Sequence, residues 1–147
     1  MRCLWIFIVF GVLISCKKND TMQNEQKRMI ENYVNSYNNF DVEGMIRDLD
    51  QDIIFENYKG DTLDLKIEGL DGFIKQAESA TSFFKERKQT ITSWQFDTDL
   101  VRITIDYEGI LAVDLPNGMK SGDTLQLKGV SEFTFKGNKI SSIKDKS

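Results

Sequence analysis

Residues 101–115 read VRITIDYEGILAVDL, and their side chains alternate between apolar and polar. A period of two over this length predicts a β-strand that buries one face and exposes the other. The residues expected to share the buried face are Ile103, Ile105, Leu111 and Val113. Gly109 in the middle of the strand predicts a bulge or a bend, because glycine weakens a regular ladder.

Further strands flank this one on both sides. Residues 89–96 predict the preceding strand, with a turn at residues 97–99. Downstream, residues 125–135 keep apolar or small side chains at odd positions. Gly137-Asn138 then fits a two-residue hairpin turn of type II′, and residues 139–143 complete the sheet.

The N-terminal half of the chain predicts three helices and two short strands. The apolar stripe of the first helix consists of Ile30, Tyr33, Val34 and Tyr37. Asp41 is positioned to cap a second, short helix. Short strands are expected at residues 52–58 and 62–67, followed by a helix with an apolar side from Leu70 to Phe84. Helices gathered against an antiparallel sheet make an α+β domain.

The first residues predict export. Arg2 precedes an apolar run at residues 4–14, which is too short to cross a bilayer and has the length of a signal-peptide core. The run ends in Leu13-Ile14-Ser15-Cys16, which resembles the lipobox of bacterial lipoproteins. In that family the cysteine is lipidated and becomes the first mature residue. The alternatives are an uncleaved signal anchor and an ordinary secretory signal.

The lipoprotein resemblance divides the chain and implies a location. It implies a signal peptide at residues 1–15, a lipid-anchored linker at residues 16–24 and a folded domain at residues 25–147. Acyl chains such as palmitate on Cys16 would anchor the domain to the bacterial cell envelope, since two or more chains anchor stably. The expected location is the outer membrane, with the domain outside the cytoplasm.

Composition excludes several classes of site. The chain contains no histidine, which rules out Ser-His-Asp and Cys-His catalysis and histidine-ligated zinc. It has no glycine-rich phosphate loop, and removal of the signal peptide would leave Cys16 as the only cysteine. A net charge of −4 disfavours nucleic acid as a partner. The sequence therefore predicts neither a metal nor a cofactor.

Two neighbouring motifs carry a family resemblance. Residues 33–46 read YVNSYNNFDVEGMI, and residues 52–57 read DIIFEN. This pattern is similar to the nuclear transport factor 2-like superfamily, in its SnoaL-like and ketosteroid isomerase-like branch. The resemblance covers residues 25–147 and implies a cone-shaped domain, in which a strongly curved antiparallel sheet wraps around the N-terminal helices.

The resemblance also assigns the isomerase roles to positions in this chain. Tyr33 stands where the family has its oxyanion donor, Asn57 where it has the general base, and Ser131 where it has a second donor. An amide cannot act as a general base, and a serine is a weaker donor than a protonated carboxylic acid. Because only Tyr33 matches, the isomerase mechanism is not expected here.

Three kinds of function follow from this pattern. The favoured interpretation is a non-catalytic, membrane-tethered ligand-binding or accessory domain with a cavity for a small apolar ligand. The cavity is expected to be lined by Tyr33, Tyr37, Asn57, Tyr107 and Ser131. The first alternative is an isomerase, cyclase or dehydratase that acts on a small apolar substrate. It would use Glu56 as base together with Tyr33, and it requires a register that turns Glu56 inward.

The second alternative is an interaction module, or a homodimer, that uses the outer face of the sheet. The carboxylates of the long strands are expected on that face, at Asp106, Glu108 and Glu132. The identity of the ligand and the direction of the Glu56 side chain remain open at this stage.

Overall fold

The structure, a computed structural model, describes the backbone of residues 13–147 and the side chains of residues 19–147. Most of the predicted signal peptide therefore lies outside the described residues. The elements are α1 (Leu13–Asn38), α2 (Val42–Ile46), β1 (Leu49–Lys59), β2 (Thr62–Glu68), α3 (Leu70–Thr81), β3 (Phe84–Phe96), β4 (Leu100–Leu111), β5 (Thr124–Lys136) and β6 (Lys139–Lys146). Among the described helices, none is long and apolar enough to span a membrane.

The six strands form one curved, unclosed sheet in the order β2-β1-β6-β5-β4-β3. The strands from β3 to β6 pair antiparallel in succession, as predicted, and β1 lies parallel to β6. The helices cover the inner face of the sheet, and the core forms between the two layers. Its most deeply buried side chains are Met29, Ile30, Ile53, Val101, Ile103, Phe133, Ile140 and Ile143. The α+β cone is confirmed.

The alternation in β4 holds as far as the strand does. Ile103 and Leu111 are fully buried and Ile105 is 7 % exposed, which confirms the predicted inner face. Val113, however, is 37 % exposed, so its predicted burial is wrong. The ladder ends at Leu111, whose backbone bonds to Asp123 and Gly122 close the following loop, and Val113 lies in that loop.

The irregularity predicted at Gly109 lies on the neighbouring strand. The pairing of β3 with β4 shifts between Phe84 and Glu86, and Arg87 is the partner of Gly109. A Cβ at Gly109 would lie 2.8 Å from the Phe84 ring, which therefore packs directly on this glycine. Phe84 accordingly begins β3 and does not belong to the helical face on which the sequence had placed it.

Helix α1 extends further towards the N-terminus than the sequence predicted. Residues 16–24, expected to form a linker, are helical in the structure. Ion pairs between residues one turn apart support the polar part of α1, such as Arg28 with Glu25 at 2.8 Å. Apolar periodicity marks only helices that bury a face, and Met22 at 50 % exposure buries little. The predicted Asp41 cap on α2 is confirmed by its bond from the Gly44 amide, 2.8 Å long.

Candidate functional site: a pocket inside the curved sheet

A pocket of about 250 Å³ opens to solvent between α1, α3 and the inner face of the sheet. Its apolar lining consists of Met45, Phe55, Leu65, Ile67, Phe73, Ala77 and Ala80, and its polar lining of Tyr33, Tyr37, Asn57, Gln76, Arg87, Gln89 and Asp145. Larger depressions exist on the surface, such as one of about 530 Å³ lined mainly by charged and polar side chains. The inner pocket is the one that brings buried titratable groups together, which makes it the candidate site.

The predicted cavity residues divide between the pocket and its surroundings. Tyr33, Tyr37 and Asn57 line the pocket as expected. Ser131 is buried behind the lining and reaches the pocket only through its hydrogen bond to Asp145. Tyr107 packs edge-to-face against Tyr37, with ring centroids 6.4 Å apart, and also lies outside the lining. Both residues lie behind the lining, so the expectation that they form part of the cavity wall is wrong.

The carboxylate of Asp145 is the group that sequence reasoning missed. Strand β6 continues to Lys146, beyond its predicted end at residue 143. Asp145 therefore follows Ile143 on the inner face and lies opposite Ser131, whose hydroxyl donates a 2.6 Å hydrogen bond to Asp145 Oδ1. Burial raises the pKa of Asp145 to about 6, and the bond from Ser131 partly opposes this shift. The signal was available, since Ile143 and Asp145 are two residues apart, as same-face residues of a strand are.

No basic side chain neutralises Asp145. Its neighbours Lys144 and Lys146 turn to the outer face, where they pair with Glu56 at 3.6 Å and with Glu132 at 3.1 Å. No ion pair in the described part of the chain includes Asp145. The same residues also contain no group of three or more Cys, Asp or Glu placed to hold a metal ion. The pocket thus contains one carboxylate held by a single hydroxyl.

Tyr33 is the second polar group deep in the pocket. Its ring packs against Phe73 and Phe133, with centroids 6.3 and 6.0 Å away. Burial, assisted by the charge of Asp145, raises the pKa of Tyr33 well above its ordinary value. The phenol therefore stays protonated at neutral pH. It makes no hydrogen bond to any described residue, which leaves it free to donate to a ligand.

Arg87 forms the opposite wall and fixes the end of α1 on β3. Its Nε donates to the Tyr37 carbonyl at 2.7 Å, and its guanidinium lies 3.8 Å from the Tyr37 ring centroid and 4.4 Å from that of Phe40. Asn38 bonds both the amide and the carbonyl of Gln89, at 2.7 and 3.0 Å. These contacts place Tyr37 and Arg87 at the pocket while leaving Arg87 Nη2 buried without a partner.

Glu56 points away from the pocket. Its carboxylate accepts a 3.2 Å hydrogen bond from Tyr58, and its neighbours in the chain, Phe55 and Asn57, line the pocket instead. The pairing of β1 with β2 shifts only after Asn57, so the alternation that turns Glu56 outward is intact. The inward register that a Glu56 base requires does not occur.

The outer face of the sheet is polar, as the alternation predicted. Glu132 pairs with Arg102 at 3.0 Å, and Asp106 pairs with Lys128 at the same distance. Glu108 accepts a 2.7 Å hydrogen bond from Gln126. These carboxylates are partnered across neighbouring strands and have no access to the inner pocket.

Solved structures of low sequence identity share this fold. A candidate polyketide cyclase from Xanthomonas campestris pv. campestris is 13 % identical, with a TM-score of 0.71 and coverage of 84 % of this chain and 90 % of that one. AclR from Streptomyces galilaeus is 20 % identical, with a TM-score of 0.66 and coverage of 83 % and 87 %. A protein of ketosteroid isomerase-like fold from Catenulispora acidiphila, in complex with trimethylamine, is 13 % identical, with a TM-score of 0.66 and coverage of 80 % and 82 %.

No curated protein matches the chain at a significant level. The model of the SnoaL-like domain matches residues 30–143, from the buried stripe of α1 to the inner face of β6. That match spans the elements that build the pocket, and it shows that this chain belongs to the SnoaL-like domain family of the nuclear transport factor 2-like superfamily.

Proposed function

We propose that this protein is a membrane-tethered binding domain whose inner pocket holds a small, largely apolar molecule with one polar group. The observation that carries the proposal is an open pocket whose lining combines apolar side chains with polar groups, among them Asp145 and Tyr33. Its volume of about 250 Å³ is close to the lower end of ligand pockets, which begin at about 300 Å³. A ligand of the size of a substituted benzene suits it.

The residues of this pocket do not favour the catalytic mechanism of the isomerase relatives. Asn57 occupies the position of the isomerase base and lines the pocket, but an amide cannot abstract a proton. Glu56 faces the opposite side of the sheet, where it pairs with Lys144 at 3.6 Å. These two observations support a binding role over an isomerase role.

Binding is tested by filling the pocket. Ala77 lies on α3, is 8 % exposed and lines the pocket, so Ala77→Met is expected to weaken the binding of benzyl alcohol at least about tenfold by occupying its space. Ligand-observed NMR of the full chain in phosphatidylcholine nanodiscs measures this. Thr104→Met, on the outer face, is the matched control and should leave binding unchanged. Equal binding by both variants would contradict the proposal.

The tether is proposed from the lipobox-like motif that ends at Cys16. Cys16→Ser is expected to abolish acylation, because serine lacks the thiol that the lipid modifies, and to release the domain from membranes or leave the precursor unprocessed. Mass spectrometry of the N-terminal peptide and membrane fractionation measure both effects. A wild-type protein that carries no lipid on Cys16 would contradict the tether.

A second candidate function is acid–base catalysis with Asp145 as base and Tyr33 as donor. It is favoured by a carboxyl with a pKa of about 6 that shares the pocket with a protonated phenol. The likeness to a candidate polyketide cyclase agrees with this chemistry. Deuterium exchange at the carbon next to a ketone in a small aromatic probe tests it. Exchange that Asp145→Asn abolishes and Glu56→Gln preserves would establish this candidate in place of passive binding.

A further inference from the structure

The charge inside the pocket selects among the ligands that could fit it. Asp145 is partly exposed, and its side chain lines the pocket. Among the described residues, its one hydrogen-bond donor is the Ser131 hydroxyl, 2.6 Å from Oδ1. A carboxylate withdrawn from water is costly unless a cation or several donors satisfy it. One hydroxyl leaves most of its acceptor capacity unused.

The cations around Asp145 are engaged elsewhere. Lys144 and Lys146, on its own strand, pair with carboxylates on the outer face. Arg87, on β3, donates to the Tyr37 carbonyl and lies close to the rings of Tyr37 and Phe40. The remaining ionisable groups near the site on α1 are the phenols of Tyr33 and Tyr37, whose pKa values burial raises, so that both stay neutral. No cation of the described residues therefore forms an ion pair with Asp145, although the Arg87 guanidinium lines the same pocket.

The walls next to this charge are aromatic and apolar. Phe73 packs against Phe55 and Tyr33, with centroids 5.8 and 6.3 Å away, and all three side chains line the pocket. Such walls accept the hydrocarbon part of a ligand and attract a cation that lies near their ring faces. Carboxylate and rings together are complementary to an organic cation with a short apolar substituent.

An anionic ligand is disfavoured by the position of Arg87. Arg87 also lines the pocket, but its unpartnered Nη2 is buried from solvent, so an anionic ligand could bond that atom only after a local rearrangement. An anion would also face the carboxylate of Asp145 within the same small volume. Of the two charged groups in the lining, Arg87 is held by the Tyr37 carbonyl and two rings, so the Asp145 carboxylate is the better placed to pair with a ligand.

We propose that the pocket recognises a small amine in its ammonium form, which pairs with Asp145 while its apolar substituent packs against Phe55 and Phe73. This inference rests on the proposed function, since it assigns the class of ligand to the same pocket. The ammonium group supplies the ion-pair partner that Asp145 lacks among the described residues. Tyr33 and Asn57 then provide neutral polar contacts beside the ion pair.

Three probes that share one ring and differ in charge test the inference: benzylamine, benzyl alcohol and benzoate. The full chain in phosphatidylcholine nanodiscs is titrated at pH 7.5, and dissociation constants are measured by ligand-observed NMR. Benzylamine is expected to bind about 10- to 100-fold more tightly than benzyl alcohol, the gain typical of a charged hydrogen bond. Benzoate is expected to bind most weakly.

Asp145→Asn preserves the shape of the side chain and a partner for Ser131, and it should reduce benzylamine binding to the level of benzyl alcohol. Glu56→Gln removes a carboxylate from the outer face and should leave all three constants unchanged. The inference is overturned if benzyl alcohol or benzoate binds as tightly as benzylamine, or if Asp145→Asn leaves benzylamine unaffected. In those cases binding that Ala77→Met blocks would still support the proposed function. Absence of binding by every probe would overturn both.

The comparison of the three probes on the unmodified chain already decides the question, so the test survives even if a variant fails to fold.

Discussion

Replacing Ile103 with alanine is expected to lower the free energy of unfolding by about 2–5 kcal/mol. Ile103 is fully buried in β4, between Trp94 on β3 and Ser131 on β5. The substitution removes apolar contacts and leaves a cavity, because neighbouring strands on both sides prevent the sheet from collapsing into the space. Urea unfolding followed by circular dichroism measures the change.

Thr104→Ala is the matched control on the other face of the same strand. Thr104 is only partly buried, and its hydroxyl accepts a 2.8 Å hydrogen bond from Ser93 near the surface. Its loss is expected to cost less than about 1 kcal/mol, as for an exposed hydrogen bond. Equal destabilisation by the two substitutions would show that the assignment of the inner face is wrong.

Asp145→Asn is expected to raise the free energy of unfolding at neutral pH by about 1–3 kcal/mol. The reason is the pKa of Asp145, about 6 in the folded protein against about 3.9 in an unfolded chain. The folded state then binds the proton more tightly, so the ionised carboxylate reduces wild-type stability as the pH rises from about 4 to 7. Partial access of water to the pocket places the gain within this range and below the full value of the shift.

The pH profile of the two proteins distinguishes this explanation from simple repacking. The wild type and Asp145→Asn should be nearly equally stable at about pH 4, and the variant should gain progressively towards pH 7. Urea unfolding at several pH values measures the difference, and Glu56→Gln, on the outer face of the sheet, is measured alongside as the control variant. A difference that is constant across the range would refute the raised pKa. A gain in stability would identify Asp145 as a group retained at a cost in stability, as residues of functional sites are.

The elements that local patterns describe were predictable from the sequence. Alternation gave the inner face of β4, and Asp41 gave the start of α2. The hairpin at Gly137 is also as predicted, with β5 ending at Lys136, β6 beginning at Lys139 and a positive φ of +61° at the glycine. Such predictions succeed because strand periodicity, capping and turn geometry each depend on a few neighbouring residues.

Which side chains are buried near the ends of β4 and β6 depended on where these strands end and on the strands that pair with them. Val113 lost its burial because β4 stops at Leu111, and Asp145 entered the pocket because β6 continues to Lys146. The length of β6 is set by its pairing with β1 and β5, which are distant in sequence. A local pattern contains no information about those partners, so the strand end predicted at residue 143 was too early.

The sequence by itself therefore determined the α+β class, the inner faces of the long strands and the family resemblance, because each is encoded in the spacing of nearby residues. Only the tertiary structure decided that Asp145 and Tyr33 share a pocket, that Glu56 faces outward and that Ser131 and Tyr107 act from behind the lining. The physical reason is that pairing between distant strands sets how far each ladder extends, and the ends of the ladders decide which polar groups are buried.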